Sequence, residues 1–264
     1  MLDDRKIRMR VGGLYKNFTN KDVLHDINFD IPEGQSTVVI GPAASGKSVL
    51  MKCLIGLYPV NRGSIMVDGQ DLTRANNSQK DSVISTFGVL FQQGGLFDSL
   101  PVWENVAFKL LNRLRVERTV AREIAVEKLA LVDLPPTTAD LYPSELSGGM
   151  QKRVGLARAM TGDPSFLFLD NPTAGLDPVT SNRINDMVGK TVDRLGATML
   201  CVTSDMEAAH SLYDHLVMLN EGRVVWSGPT RDINSDDNPY LQQMIHGRAD
   251  GPIKMRLRSE ESVS

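Results

Sequence analysis

The chain has 264 residues, a net charge of −3 and only two cysteines, with 41% hydrophobic and 23% charged residues. This composition is typical of a folded globular protein and excludes a collagen-like, coiled-coil or disordered chain. The small net charge gives no overall attraction to nucleic acid or to an anionic membrane. Because Cys53 and Cys201 lie in apolar runs, we expect buried thiols in the cytoplasm rather than a disulfide.

The sequence predicts a chain that does not cross a bilayer by itself. Residues 1–10 lack the apolar region of a signal peptide. No run approaches the roughly 18 uninterrupted apolar residues of a transmembrane helix. Any role at a membrane would therefore be carried out through a partner.

The first part of the chain combines strand patterns with one glycine-rich loop. Alternating apolar residues over 7–14 and 23–31 predict two antiparallel strands. The β-branched run 36–40 predicts a buried central strand, and a glycine-bounded loop and a helical stretch over 47–57 follow it directly. A loop between a strand and a helix start is well placed to bind phosphate.

The rest of the chain predicts helices and a parallel sheet. From about residue 90 to 141 the apolar spacing is helical, which predicts an inserted helical subdomain. Strand-like runs at 166–169 and 198–202 then alternate with helical stretches, as in a parallel sheet covered by helices. A β-hairpin is predicted over 216–226, and beyond residue 247 the polar sequence loses its periodicity.

A phosphate-binding loop is predicted over residues 41–48, which match the Walker A pattern G-x-x-x-x-G-K-[ST]. Small residues allow backbone N–H groups to surround phosphate oxygens. Lys47 supplies a positive charge, and Ser48 offers an oxygen ligand to Mg²⁺. The predicted phosphate site consists of Gly41, Pro42, Ala43, Ala44, Ser45, Gly46, Lys47 and Ser48.

Two further segments have the residue types of a nucleotide site. The apolar run 166–169 ends in Asp170, where a Walker B carboxylate that organises Mg²⁺ would lie. Ser147, Gly148 and Gly149 precede a helix-like run and offer a second anion-binding helix start. Read alone, residues 147–149 are equally explained as a helix cap.

Together these motifs resemble the nucleotide-binding subunits of ABC transporters over nearly the whole chain. The resemblance implies an α/β P-loop NTPase (ABC ATPase) fold with a parallel core sheet, an antiparallel β subdomain and an α-helical subdomain inserted at about 90–155. The nucleotide-binding domain would span residues 1–246. ATP and Mg²⁺ would be the ligands, and residues 147–149 would bind the γ-phosphate held by a second ATPase subunit, most simply in a homodimer.

The same resemblance implies roles for residues outside these motifs. Gln92 would be the Q-loop glutamine, which links Mg²⁺ and the attacking water to the permease contact. Asp177 lies in a D-loop-like segment, and Phe18 falls where the family stacks an aromatic ring on adenine. A core position at a strand end is the alternative for Phe18. The implied Mg²⁺ ligands are Ser48, Gln92 and Asp170.

A narrower resemblance, to the ATPases of Mla/Mce-type lipid transporters, rests on residues 94–106, on Met150 and on residues 245–252. It implies a membrane permease, an MCE substrate-binding protein and a small STAS-domain protein as partners, on the cytoplasmic face of the inner membrane. The tail, residues 247–264, would reach the neighbouring ATPase subunit, or it is a frayed terminus. Either a permease groove or core packing accounts for Leu96, Phe97, Leu100, Val102 and Val106.

Three positions depart from the ABC pattern. Asn171 replaces the glutamate that polarises the hydrolytic water, and an amide cannot accept a proton. Ser204 stands where a histidine usually touches the γ-phosphate, and its side chain is too short for that contact. Ala44 replaces a glycine, so the loop is strained if its backbone needs a positive φ there.

These departures leave two functions open. The chain is either a slow ATPase that drives a lipid permease, or an ATP-binding subunit that hydrolyses poorly and acts as a structural switch or beside a competent paralogue. In the first case Asp205 or the phosphate itself would accept the proton. A soluble nucleotide kinase is disfavoured because residues 146–150 would be unexplained. The predicted catalytic residues are Asn171, Gln92, Ser204 and Asp170.

Overall fold

The computed structural model describes residues 6–19, 21–92 and 94–254, which contain ten strands and nine α-helices. The strands are β1 (Ile7–Phe18), β2 (Lys21–Pro32), β3 (Ser36–Ile40), β4 (Arg62–Val67), β5 (Gln70–Asp71), β6 (Phe87–Leu90), β7 (Phe166–Asp170), β8 (Thr198–Val202), β9 (His215–Asn220) and β10 (Arg223–Pro229). The α-helices are α1 (Lys47–Leu54), α2 (Asn77–Ile84), α3 (Val102–Val106), α4 (Phe108–Asn112), α5 (Arg118–Leu131), α6 (Gly148–Met160), α7 (Pro178–Leu195), α8 (Met206–Ser211) and α9 (Pro239–Ile245). None of the helices in this described part is both long and apolar enough to cross a membrane.

The larger sheet has the strand order β10-β9-β3-β8-β7-β6. Its five strands from β9 to β6 are parallel, and only β10 runs antiparallel, in a hairpin with β9. β3, β7 and β8 are buried along their whole length, as expected for apolar strands whose two faces are both covered. The predicted parallel core sheet is therefore confirmed.

The smaller sheet is antiparallel and has the order β2-β1-β4-β5. Its buried side chains share one hydrophobic cluster with α1 and with one face of the larger sheet, so both sheets sandwich α1. This packing fixes the start of α1, and with it the end of the Walker A loop, between two layers. Strands β4 and β5 and helix α2 were not predicted.

Helices α3 to α6 pack against one another on the other side of the larger sheet, in a second hydrophobic cluster. Val102 and Val106 are fully buried there, so they are core residues. Phe97 is 42% exposed and stacks on Phe108 with ring centroids 4.5 Å apart. The buried Asn105 holds the preceding loop, since its Oδ1 accepts from the N–H of Phe97 at 2.7 Å.

The described part of the tail folds back on α9. The buried Gln243 accepts a hydrogen bond from the N–H of Ile253 at 2.7 Å and donates to its carbonyl at 3.1 Å. Ile253 also packs against the core, so residues up to 254 are anchored to the domain. Residues 255–264 lie outside the described part, and the predicted contact of the tail with a neighbouring subunit stays a prediction.

Candidate nucleotide-binding site

Four predicted site segments follow neighbouring parallel strands of the larger sheet. Residues 41–48 follow β3, Ser204 lies two residues beyond β8, Asp170 ends β7, and Gln92 lies two residues beyond β6. The strands β3, β8, β7 and β6 are adjacent in this order, so their carboxyl ends share one edge at spacings of about 4.8 Å. This edge is where open α/β sheets bind their ligands.

The loop of residues 41–48 turns sharply between β3 and α1. Gly41 and Gly46 have φ values of 146° and 104°, and a Cβ on Gly41 would approach the carbonyl oxygen of Leu219 to 2.0 Å. Ala44 has a φ of 59°, so the positive φ considered for this position is present. A residue with a Cβ in that region costs on the order of 1 kcal/mol, which the loop accepts at this position.

Lys47 folds over its own loop. Its Nζ donates to the carbonyl oxygens of Gly41 and Pro42, both at 2.8 Å. Burial lowers the pKa of the Lys47 ammonium, whereas the charge of Asp170 raises it. The two carbonyl oxygens that accept from Lys47 in this structure are uncharged. A phosphate group would accept stronger, charge-assisted hydrogen bonds from the same ammonium group.

Asp170 is only 5% exposed at the end of β7. Burial raises the pKa of its carboxyl group, and the charges of Lys52 and Lys47 lower it. Among the described residues, no cationic side chain forms a salt bridge with Asp170 within 4 Å, so the positive groups act from a distance. A buried carboxylate without a close cation is a suitable ligand for a metal ion.

The positions that depart from the ABC pattern lie at the same sheet edge. Asn171 follows Asp170 directly, has a φ of 47° and donates its backbone N–H to the carbonyl of Val202 at 2.8 Å. Ser204 is exposed, and so is Gln92. Asp205 caps α8, because its carboxylate accepts from the N–H of Ala208 at 3.0 Å. Asp205, one of the proton acceptors suggested by the sequence, is therefore already engaged as a helix cap.

The second anion-binding segment is a helix cap with an exposed surface. The hydroxyl of Ser147 accepts from the N–H of Met150 at 3.3 Å at the start of α6, and Gly148 is exposed. Asp177 caps α7 in the same manner, and its hydrogen bonds with Thr180 lower the pKa of its carboxyl group. Within the described chain no hydrogen bond joins either cap to residues 41–48.

Phe18 is 43% exposed at the end of β1, so the alternative of a core position does not apply. Its ring meets Tyr58 edge-on at a centroid distance of 5.4 Å, and Nζ of Lys16 lies 4.7 Å from its centroid. These contacts hold an aromatic ring at the protein surface. Stacking of adenine on that ring stays a prediction.

Sequence reasoning missed three residues around the site. Lys52 lowers the pKa of Asp170 from the last turn of α1. Arg158 donates to the carbonyls of Gly94 and Gly95, just after Gln92. Gly222 contacts the Walker A loop through its backbone. The sequence did not predict these contacts, because basic residues in helices and glycines in turns are common. Each contact also joins segments that are far apart in the sequence.

A glycine-bounded loop between a central parallel strand and a helix, with a buried carboxylate on a nearby strand end, defines a P-loop nucleotide-binding protein. Comparison with known proteins identifies the family within this class. The sequence pattern of the family described as ABC transporter matches residues 24–174. This chain therefore belongs to the ABC transporter family, whose ATPase subunits bind ATP and work as dimers with membrane permeases.

Three relatives illustrate the similarity. The "Probable ribonucleotide transport ATP-binding protein mkl" of Mycobacterium leprae is 38% identical over 257 residues, 97% of this chain and 74% of the relative. The "Intermembrane phospholipid transport system ATP-binding protein MlaF" of Haemophilus influenzae is 32% identical over 94% of this chain and 95% of the relative. The ATP-binding cassette MJ0796, solved as a dimer with ADP and Pi, has a TM-score of 0.78 and 27% identity, covering 84% of this chain and 99% of the other.

Proposed function

We propose that this chain is the ATP-binding subunit of a lipid transporter, in which closure of a homodimer on ATP and slow hydrolysis act on a membrane permease. Similarity to MlaF over 94% of this chain and 95% of that relative supports the lipid substrate. The mkl relative is named for ribonucleotides, so the substrate class is part of the proposal. The proposed partners are a permease on the cytoplasmic face of the inner membrane, an MCE protein and a STAS-domain protein.

In this proposal the phosphate loop binds the β- and γ-phosphates. The N–H groups of residues 41–48 surround the phosphate oxygens, and Lys47 exchanges its two carbonyl partners for them. Ser48 and Asp170, with Gln92 beyond the neighbouring strand, offer the hard oxygen donors that Mg²⁺ prefers. When bound there, Mg²⁺ would neutralise phosphate charge, and a cation next to Asp170 would offset the burial that raises the pKa of its carboxyl.

The proposed site is completed by a second subunit. Ser147 and Gly148 are exposed at the N-terminus of α6, a helix of 13 residues whose first N–H groups attract anions. Asp177 is exposed at the start of α7, next to this segment. Both helix starts are free to face a nucleotide held by the partner, and the MJ0796 cassette was solved as a dimer.

Slow turnover is proposed because Asn171 stands where the family has its glutamate general base. Asn171 can orient a water molecule through its amide but cannot take its proton, and loss of a positioned base costs about 10²–10⁴ in rate. Asp205 is engaged as the cap of α8. This contact favours, as a second candidate, an ATP-binding subunit that closes its dimer without useful hydrolysis.

The observation that carries the proposal is that the loop leading to Lys47 follows β3 while Asp170 ends β7, and only β8 separates these two strands. Lys47→Ala is expected to abolish ATP binding. The control is Lys190→Ala, which replaces an exposed lysine of α7 and should leave ATP binding unchanged. Binding is measured by titration of a fluorescent ATP analogue. Unchanged affinity of Lys47→Ala would contradict the assigned phosphate site.

The two candidate functions differ in phosphate release. The purified subunit is assayed with and without its co-purifying permease, in the presence of phospholipid vesicles or of ribonucleotides. An increase of phosphate release by the permease and phospholipid supports the slow lipid-coupled ATPase. Tight retention of ATP without release supports the second candidate, and stimulation by ribonucleotides alone contradicts the lipid assignment.

A further inference from the structure

Gly222 connects the phosphate loop to the smaller sheet through its backbone. It lies in the two-residue turn between β9 and β10, where Glu221 and Gly222 have φ values of 46° and 74°. The N–H of Gly222 donates to the carbonyl of Ser45 at 3.0 Å, and its own carbonyl accepts from the N–H of His25 at 2.8 Å. One turn residue therefore bridges the Walker A loop and β2.

This contact leaves no room for a side chain. A Cβ on Gly222 would lie 2.2 Å from the carbonyl oxygen of Val23 and 2.9 Å from Cδ2 of His25. On the other side, a Cβ on Gly46 would lie 2.8 Å from Cδ2 of Leu24 and 3.8 Å from Cα of Gly222. Strand β2, the turn and the loop thus approach one another at backbone distance, and a larger residue would separate them.

The hydrogen bond to Ser45 has a consequence for the loop. The carbonyl of Ser45 and the N–H of Gly46 belong to one planar trans peptide group, in which C=O and N–H point in opposite directions. Holding the carbonyl toward Gly222 therefore directs the N–H of Gly46 away from it. A phosphate-binding loop depends on such fixed N–H directions.

We infer that Gly222 is a positioning residue for ATP, which orients the Ser45–Gly46 peptide group of the phosphate loop. The inference rests on the proposed role of residues 41–48 as the phosphate site. Gly222 touches no ligand itself and acts through Ser45. Its effect should therefore appear in nucleotide affinity beyond any general loss of stability.

The chain contains a matched control turn. Asp68 and Gly69 connect β4 to β5 with φ values of 49° and 80°, and a Cβ on Gly69 would meet nothing within 4 Å. Gly69→Ala therefore adds the same backbone strain without a contact to the phosphate loop. Comparing Gly222→Ala with Gly69→Ala separates strain from positioning.

The test measures the dissociation constant of a fluorescent ATP analogue and the melting temperature of each variant. Gly222→Ala is expected to weaken binding by about tenfold or more, because small misplacements of binding groups are costly. Gly69→Ala is expected to stay within about twofold of the parent. Equal affinity of folded Gly222→Ala and parent overturns the inference. If the parent binds ATP and Lys47→Ala does not, the proposed function stands whatever Gly222→Ala shows.

A second measurement needs no variant and decides the matter if Gly222→Ala does not fold. Hydrogen exchange of the unmodified chain is compared with and without a non-hydrolysable ATP analogue and Mg²⁺. The amide of Gly222 should exchange more slowly with the nucleotide bound, while peptides covering residues 67–71 exchange as before. Unchanged exchange at Gly222 in a chain that binds the analogue overturns the inference.

Discussion

The side-chain nitrogen Nδ2 of Asn171 lies 3.5 Å from Oδ1 of Asp170, at the end of β7. An amide that directs its nitrogen toward a carboxylate keeps its oxygen as an acceptor for water, but this oxygen cannot take a proton. The φ of 47° at Asn171 lies in the left-handed region, which asparagine tolerates better than most residues with a side chain. The local backbone therefore suits asparagine, while the chemistry of hydrolysis would favour a carboxylate.

Restoring the usual groups should increase hydrolysis. Asn171→Glu combined with Ser204→His is expected to raise steady-state phosphate release at saturating ATP and Mg²⁺ by roughly tenfold or more, because a base becomes available. A glutamate at φ 47° costs on the order of 1 kcal/mol, so the melting temperature should fall by about 2–4 °C.

The control for this prediction is Asn171→Gln with Ser204→His, which has the length of glutamate without its charge. It should keep the slow rate of the parent. A parent that already turns over as fast as the Asn171→Glu variant would show that Asn171 does not limit hydrolysis.

The core of the fold was predictable because buried strands leave continuous apolar runs in the sequence. β3 and β8 were predicted at 36–40 and 198–202, the bounds that the structure gives. Helix α2 was missed since it buries no residue and so has no apolar period. Helix α1 was predicted to continue to residue 57 but ends at Leu54, and the chain then turns at Gly56 with a φ of 78°.

The contiguous motifs of the site were predictable because the residues of each act together over a few positions. Residues 41–48 and Asp170 carry their chemistry in their own types and spacing. The contacts of Gly222 with Ser45 and of Arg158 with Gly94 join distant backbone segments, which no local pattern encodes.

Asp170 should destabilise the nucleotide-free protein at neutral pH. Its raised pKa means that the folded state holds the proton more tightly than the unfolded chain, so ionisation of Asp170 opposes folding as the pH rises. Asp170→Asn removes this charge at nearly constant volume and is expected to raise the melting temperature. Thermal unfolding should also show that this variant loses the extra stabilisation by ATP with Mg²⁺. A lower melting temperature without nucleotide would contradict the prediction.

Arg158 should connect the loop after Gln92 to helix α6. Its guanidinium donates to the carbonyls of Gly95 and Gly94 at 2.6 and 2.9 Å, and burial lowers its pKa. Arg158→Met leaves the buried Gly94 carbonyl without this donor and should cost about 1–3 kcal/mol in unfolding free energy.

Arg158→Met should reduce the stimulation of hydrolysis by the permease more than it reduces hydrolysis by the subunit alone. Permease-stimulated phosphate release is expected to fall more than basal release, since Arg158, in the last turn of α6, no longer ties this helix to the loop after Gln92. Arg153→Met, on the same helix and bonded to the carbonyl of Asp133, is the control. Equal losses in both variants would mean that Arg158 has only a structural role.

His215 should make the protein less stable in mild acid. Its Nδ1 is buried and lacks a hydrogen-bond partner among the described residues, and burial lowers the pKa of the imidazole while the charge of Asp214 raises it. The folded state thus binds fewer protons than the unfolded chain, so stability is present above pH of about 6.5 and is lost as the pH falls below it. Melting temperatures between pH 7.5 and 5.5 should decline less for His215→Leu than for the parent or for His246→Leu, an exposed control. Equal slopes in all three proteins would show that another group carries the acid sensitivity.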